Sequence, residues 1–213
     1  MLLNKNIYRL LIKQKPFSFL CNVKSLPSII CFIVISFILS GCDEPSVPHQ
    51  HGYLRIELPA HSYQAFDPVS CPFRFEIGKL AEAVPDTNRL SETCWWYINY
   101  PSMNGKVYIS YKSIHNDFNK FAEDARTLVY KHTQRANAIN EDLISNDYHA
   151  SGILYDIGGD AASSIQFFMT DSTKHFLRGA LYFNSVPNSD SLAPYISYIK
   201  ADVVHMLATL QWK

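Results

Sequence analysis

The sequence lacks the short motifs that mark the common enzyme families. It contains no G-x-S-x-G nucleophile elbow, no H-E-x-x-H zinc motif, no C-x-x-C pair and no glycine pattern for a P-loop or a dinucleotide. Asp156 and Asp160, in DIGGD, lack the further oxygen ligands of a calcium loop and indicate a turn between strands. Nothing in the sequence aligns Ser163, Asp171 and His175 as a triad. We therefore expect a protein that is not an enzyme and has no cofactor and no metal site.

Acidic residues are absent from the first 41 positions. All 19 Asp and Glu lie after Cys42, whereas five of the 19 Lys and Arg lie before it. Residues 42–213 therefore carry 14 basic and 19 acidic residues, a net charge of −5. Binding to phosphate backbones needs clustered Lys and Arg, so this balance excludes a nucleic-acid partner.

The chain also lacks an apolar run long enough to span a bilayer comfortably. Residues 29–39 are an apolar stretch behind a basic region, shorter than the roughly 20 residues of a membrane-spanning helix. This pattern is typical of a signal peptide. Leu39-Ser40-Gly41-Cys42 resembles the bacterial lipobox, in which the cysteine carries acyl chains such as palmitate and becomes the first residue. The alternative is an ordinary transmembrane segment with an incidental cysteine.

These features predict three parts of the chain. Residues 1–41 are expected to be a lipoprotein signal peptide, and residues 42–52 a lipid anchor and flexible tether, because DEPSVPHQHG contains two prolines and no apolar period. Residues 53–213 are expected to form a single α+β domain. We expect the acylated Cys42 to hold this domain at a membrane of the cell envelope, inner or outer, since each buried methylene contributes roughly 0.8 kcal/mol.

Two cysteines remain after the predicted anchor. Cys71 and Cys94 are an even pair in an exported chain, which predicts a disulfide between them. The alternatives are two free buried thiols or half of a metal site.

The apolar periods alternate between strand and helix spacing. Residues 53–58 (YLRIEL) predict a strand, and Asn104-Gly105 predicts the turn of a hairpin. A helix is expected from Asn116 to about Ala136, then three or four antiparallel strands, and a last helix ending near Leu210. The expected fold is therefore α+β: an antiparallel sheet of about five to seven strands covered by two long amphipathic helices, similar to the Mog1/PsbP-like arrangement.

Aromatic residues crowd the predicted hairpin. They are Trp95, Trp96, Tyr97, Tyr100, Tyr108 and Tyr111. One interpretation is cross-strand packing within the core. The other is an exposed binding face, on which Trp95 and Trp96 contact a partner. The second interpretation gives an alternative function, that of a surface-exposed glycan-binding lipoprotein.

Long stretches of the chain resemble the gliding-motility lipoprotein D (GldD) family of Bacteroidota. They are CWWYINYP, KVYISYKSI, EDARTLVYKHTQRANAI, GILYDIGGDAAS and QFFMTDSTKHFLRGALYFNSVPNSDSLAP. The resemblance covers about residues 52–213 and extends to the lipobox at Cys42.

This resemblance implies a lipid-anchored envelope component needed for gliding and linked to type IX protein secretion. Its partners would be other gliding and type IX secretion proteins, and the family offers no catalytic residues to carry over. Lys174 and Arg178, within the resembling segment, are candidates for polar contacts to such a partner.

Overall fold

The computed structural model describes residues 56–213. The predicted signal peptide and tether, including Cys42, lie outside the described residues. The described part contains ten strands and two α-helices, in the order β1 Tyr63–Phe66, β2 Phe73–Gly78, β3 Glu82–Pro85, β4 Trp96–Tyr100, β5 Gly105–Ser113, α1 Phe118–Tyr130, β6 Ala136–Ser145, β7 Ser151–Gly159, β8 Ser163–Thr170, β9 His175–Phe183, α2 Ser189–Thr209 and β10 Gln211–Trp212.

Seven of the strands form one antiparallel sheet. Their order is β3-β4-β5-β9-β8-β7-β6, and every neighbouring pair runs antiparallel. The links between β7, β8 and β9 are too short for a parallel crossover, which needs a dozen or more residues. The predicted α+β fold with an antiparallel sheet is thus confirmed.

The β4–β5 turn differs in detail from the predicted Asn-Gly hairpin. Residues Pro101–Met103 form a 3-10 turn, and Asn104 alone adopts a left-handed conformation, with φ 52°. Gly105 already belongs to β5, where a Cβ atom would lie 2.8 Å from Cδ1 of Ile199. The glycine is therefore needed for close packing against α2 and not for the turn.

A second sheet of three strands, β1-β2-β10, was not expected as such. The strand predicted at 53–58 is wrong for its described part, because residues 56–58 lie in no strand. Residues Phe73–Gly78, for which the sequence predicted no element, form β2, with Phe73, Phe75 and Ile77 buried. The end of the chain pairs with it, Trp212 opposite Phe73.

The expectation of two long helices is correct only for α2, which has 21 residues. Helix α1 has 13 residues, because a 3-10 turn at Lys131–Gln134 follows it and Ala136 already begins β6. The predicted helix was therefore too long, because Ala136, which fits its apolar spacing, is the first residue of β6.

The two faces of the large sheet are covered unequally. Strand β8 is buried along its whole length, with Ile165, Phe167 and Met169 in the cluster that includes α2 and Phe168 in the cluster that includes α1. Helix α1 packs against β8 and β9. The same face of β4 and β5 is more open, and Tyr108 there is 41% exposed.

Candidate partner-binding site

Three tyrosines line this open part of the sheet, which we call the tyrosine face: Tyr97 of β4, Tyr108 of β5 and Tyr182 of β9. Tyr97 lies directly opposite Tyr108 in the strand register. The ring centroids are 4.9 Å apart for Tyr97 and Tyr108 and 5.4 Å apart for Tyr108 and Tyr182, both pairs edge to face. Because side chains alternate along a strand, their neighbours Ile98, Val107 and Leu181 point to the opposite face and are buried in the core.

Arg178 lies beside this ladder on β9. Its Nη2 donates a hydrogen bond of 2.7 Å to Oε1 of Gln166, a residue that is 1% exposed. Burial lowers the pKa of the Arg178 guanidinium, and the nearby Tyr182 partly opposes this effect. Within residues 56–213, Arg178 forms no ion pair with a carboxylate. The tyrosine face therefore holds a half-buried cation whose protein partner is a neutral amide.

A cavity of about 400 Å³ opens above Arg178. Its walls are Asp86, Trp95, Tyr97, Tyr108, Ile109, Ser110, Ala180 and Tyr182. A second hollow of about 490 Å³ also contacts Tyr108 and Tyr182 and includes Lys106 and Asn99. The two hollows thus adjoin along the tyrosine face.

Hydrogen bonds and charges hold Tyr97 in place. Burial, followed by the hydrogen bond and the charge of Asp86, raises the pKa of Tyr97 to about 12, so the phenol is neutral. Asn88 donates to the Tyr97 hydroxyl over 2.6 Å. The ammonium group of Lys106 lies 4.7 Å from the Tyr97 ring centroid, a cation–π geometry.

The two candidate tryptophans lie in different environments. Trp96 points toward the core, where its ring meets Phe66 edge to face with centroids 5.0 Å apart. Trp95 lines the Arg178 cavity, but its Nε1 donates to the carbonyl oxygen of Tyr111 over 3.3 Å. Tyr100 and Tyr111 are buried. Both interpretations of the aromatic hairpin thus describe part of it: Trp96, Tyr100 and Tyr111 pack inward, whereas Tyr97 and Tyr108 line the open face.

Lys174 is exposed in the β8–β9 turn and lies outside the Arg178 cavity. The Asp171 carboxylate orders this turn, since its Oδ1 accepts hydrogen bonds from the backbone N–H groups of Thr173, Lys174 and His175. The structure therefore places Arg178 and Trp95 in one cavity and Lys174 and Trp96 elsewhere.

Cys71 and Cys94 form a disulfide, with Cα atoms 5.5 Å apart. Both residues are buried in the core cluster that includes α2. The bond links the segment before β2 to the segment before β4, and so to one end of the hairpin that carries Tyr97 and Tyr108.

The residues considered for catalysis or calcium binding serve local structure. Ser163 and His175 begin neighbouring antiparallel strands and therefore lie at opposite ends of the sheet. Asp156 pairs with Lys200 at 2.5 Å, and Asp160 accepts a hydrogen bond from the backbone N–H of Ser189 over 2.9 Å. In residues 56–213, no three His, Cys, Asp or Glu side chains converge to hold a metal ion. No helix in that range has both the length and the apolarity needed to cross a membrane.

Sequence reasoning missed Tyr182, Ser110 and Gln166. Tyr182 and Ser110 occupy the polar positions of alternating strands, where they look like ordinary solvent-facing residues. Gln166 lies in the apolar run of β8, and a lone amide in a buried strand is a usable signal because it needs a partner there.

No curated protein matches the sequence. Among solved structures, cyanobacterial PsbP from Synechocystis sp. matches with a TM-score of 0.47 and 8% identity, over 75% of this chain and 98% of that one. The sequence profile described as "Gliding motility lipoprotein GldD" matches residues 43–212. The family predicted from the sequence is thereby confirmed: the chain belongs to the gliding motility lipoprotein GldD family.

Proposed function

We propose that this protein is a lipid-anchored component of the cell envelope that is required for gliding motility and for the associated type IX protein secretion, and that it acts by protein–protein assembly. The observation that carries the proposal is the family match over residues 43–212, which makes the chain a gliding motility lipoprotein and associates it with the envelope.

The anchor is Cys42, one residue before the matched segment. A signal peptide of residues 1–41 directs export, residues 42–52 form the tether, and residues 53–213 form one α+β domain beyond it. Several acyl chains on one cysteine supply durable attachment, whereas a single chain gives only marginal binding.

The tyrosine face supports assembly as the mode of action. Tyrosine, tryptophan and arginine are the residues most enriched at the energetic centres of protein interfaces. One cavity, on a face that α1 leaves open, is lined by residues of these three types: Trp95, Tyr97, Tyr108, Tyr182 and Arg178. The glycan-binding alternative gains no such support, because the ring of Trp96 packs against Phe66 and not toward a ligand.

The test is a clean deletion strain, complemented with the wild-type protein, with Cys42→Ala or with the matched control Cys31→Ala. Cys31 lies in the apolar run that the signal peptidase removes. The amount of type IX cargo in the medium and the spreading of colonies are measured in each strain. We expect both to collapse on deletion and to return with the wild type and with Cys31→Ala, but not with Cys42→Ala. Normal secretion in the deletion strain would refute the secretion part, and rescue by Cys42→Ala would refute the anchor.

A further inference from the structure

We propose that the Arg178 cavity binds a carboxylate of an acidic peptide segment of a partner protein, with the tyrosine face holding the adjoining residues of that segment. The proposal rests on the protein–protein assembly proposed above and adds to it the chemistry of the partner.

The first argument is the unmatched charge of Arg178. In residues 56–213, the ion pairs formed by Lys and Arg join exposed or half-exposed cations to carboxylates, and none of them includes Arg178. They are Lys112 to Glu92, Arg126 to Glu141, Lys200 to Asp156 and Lys213 to Asp67. Arg178 contacts the neutral Gln166 amide instead. A cation removed from water without a counter-ion is costly, and an incoming carboxylate offsets that cost.

The second argument is geometry. Gln166 is 1% exposed and opposes Ala180 in the strand register, and its amide oxygen accepts the hydrogen bond from Arg178. The bond from Nη2 to Gln166 orients the planar fork of Arg178, which matches the two oxygens of a carboxylate. Ser110 lies directly opposite Arg178 on β5 and lines the same cavity, and its hydroxyl donates a hydrogen bond of 3.5 Å to the backbone carbonyl oxygen of Arg178.

The third argument concerns the sign and size of the ligand charge. The cavity has one acidic wall residue, Asp86, whose Oδ1 accepts hydrogen bonds from the backbone and side-chain nitrogens of Asn88 over 2.9 and 2.7 Å. Asp86 is therefore held at the wall by its own loop. A single guanidinium beside one carboxylate suits a monoanion better than a phosphate group carrying almost two negative charges.

The fourth argument identifies a peptide as the source of the carboxylate. The hollow of about 490 Å³ continues past Tyr108 and Tyr182, so a ligand can extend beyond the cavity over Arg178. The edge-to-face packing of the tyrosine face exposes ring edges as well as ring faces to a ligand. The ammonium group of Lys106 lies over the rings of Tyr97 and Tyr108. Aromatic rings around an arginine are typical of protein hot spots, in which apolar and polar side chains of a partner are both accommodated.

The test uses the full chain purified in detergent and fluorescent blocked hexapeptides. The central residue of each peptide is Glu, Asp, Gln or Asn, and the flanking positions are randomised. Fluorescence anisotropy gives the affinities. We expect the acidic pools to bind at least about tenfold more tightly than their amide counterparts, the usual range for a charge-assisted pair. A galacturonate trimer serves as the carbohydrate probe and is expected not to compete.

Variants locate the effect. In Arg178→Gln, the ratio of the affinities for Glu and Gln peptides should fall to about one. The matched control Lys174→Gln should leave this ratio unchanged, because Lys174 is an exposed cation outside the cavity. Tyr108→Ser should weaken acidic and amide peptides alike. If Arg178→Gln does not fold, the Nε–H NMR signal of Arg178 in the wild type takes its place, and it should shift with the Glu pool and not with the Gln pool. Equal binding of the two pools, no binding of either, a ratio that survives Arg178→Gln, or competition by galacturonate would overturn the proposal.

The two proposals fail separately. A strain carrying Arg178→Gln at normal protein level should lose secretion and spreading as the deletion does. If it behaves as wild type while the deletion is defective, the carboxylate site is wrong and the envelope function stands. If the deletion has no defect, the envelope function falls, and the peptide measurements alone decide the site.

Discussion

His61 and Asp202 are joined across 141 residues of sequence by a contact of 2.6 Å between His61 Nδ1 and Asp202 Oδ1. Asp202 lies on α2 and is 2% exposed, whereas the His61 side chain, just before β1, is 35% exposed. The His61 ring stacks on Tyr198 of the same helix, with centroids 4.1 Å apart. The pair thus fastens the segment that leads into the fold to its last helix.

Replacing His61 should destabilise the protein by leaving a buried carboxylate without its partner. Removing one member of a buried pair costs about 3 to 5 kcal/mol, and the partial exposure of His61 reduces our expectation to about 2 kcal/mol for His61→Phe. The phenylalanine keeps a ring on Tyr198, so the loss isolates the polar contact. Urea unfolding at pH 7 measures it.

The double variant His61→Phe/Asp202→Leu checks this explanation. If the two residues act as a pair, the double loss should be smaller than the sum of the single losses by at least about 1 kcal/mol. Glu92→Gln is the matched control, since it breaks the exposed Lys112–Glu92 pair and should cost less than about 1 kcal/mol. Additive losses for His61 and Asp202 would contradict the coupling.

Gly179→Ala should destabilise the sheet beneath the Arg178 cavity. Gly179 lies opposite Phe167 in the register, and a Cβ atom there would be 2.2 Å from the ring Cζ. Phe167 is 1% exposed and cannot move aside freely, so we expect a loss of about 1 to 3 kcal/mol in the free energy of unfolding. Gly158→Ala is the control: the nearest atom to its Cβ is 3.8 Å away, and we expect no loss. Similar stabilities of the two variants in thermal unfolding would show that Phe167 adapts.

Asp171 should contribute stability that disappears in acid. Burial raises the pKa of its carboxyl, but the hydrogen bonds from the backbone N–H groups of Lys174, His175 and Thr173 outweigh burial and hold the pKa at about 2. Because the folded pKa is below the ordinary value of 3.8, the stabilisation is complete above about pH 4 and is lost as the pH falls toward 2.

Asp171→Ala tests this dependence. At pH 7 it should be less stable than the wild type by about 1 to 2 kcal/mol, a figure reduced for partial exposure of the carboxylate. The difference should shrink between pH 4 and pH 2 when urea midpoints are compared. A difference that stays constant over this window would mean that the turn depends on something other than the ionised carboxylate.

The Cys71–Cys94 disulfide should stabilise the domain by limiting the unfolded chain. The two residues are 23 positions apart, and a loop of this size corresponds to roughly 3 kcal/mol in the chain-entropy model. A non-reduced proteolytic digest should give one peptide pair joined through these cysteines by mass spectrometry. The Cys71→Ser/Cys94→Ser variant should unfold at a lower urea concentration than the wild type. Its urea midpoint should equal that of the wild type in reductant. Free thiols at both positions in the non-reduced digest would refute the bond.

The sequence predicted the elements whose apolar spacing is regular and local. Strands β7, β8 and β9 and helix α2 were expected from alternation and helical period, and the structure contains them. Strand β2 escaped prediction because its six residues lie among turns, and its partners are β1 and the last residues of the chain, Gln211 and Trp212. The pairing of β2 with Gln211 and Trp212 joins segments far apart in the chain, and no local pattern predicts it.

The candidate site shows the same limit. Arg178 and Trp95 were chosen from the sequence, and they line one cavity; Trp96 and Lys174 were chosen on the same grounds and lie elsewhere. Strand alternation decides that Trp95 and Tyr97 share a cavity while Trp96 and Ile98 pack inward. The phase of that alternation depends on which face of the sheet α2 covers.

By itself, the sequence determined the family, the α+β class and the antiparallel sheet, because these follow from the residues of long characteristic segments and from local periodicity. Only the tertiary structure decided that α1 packs on β8 and β9 and leaves Tyr97, Tyr108 and Tyr182 open. It also decided that Arg178 contacts Gln166 and not a carboxylate. Burial and charge pairing depend on contacts between residues far apart in the chain, and those contacts exist only in the folded protein.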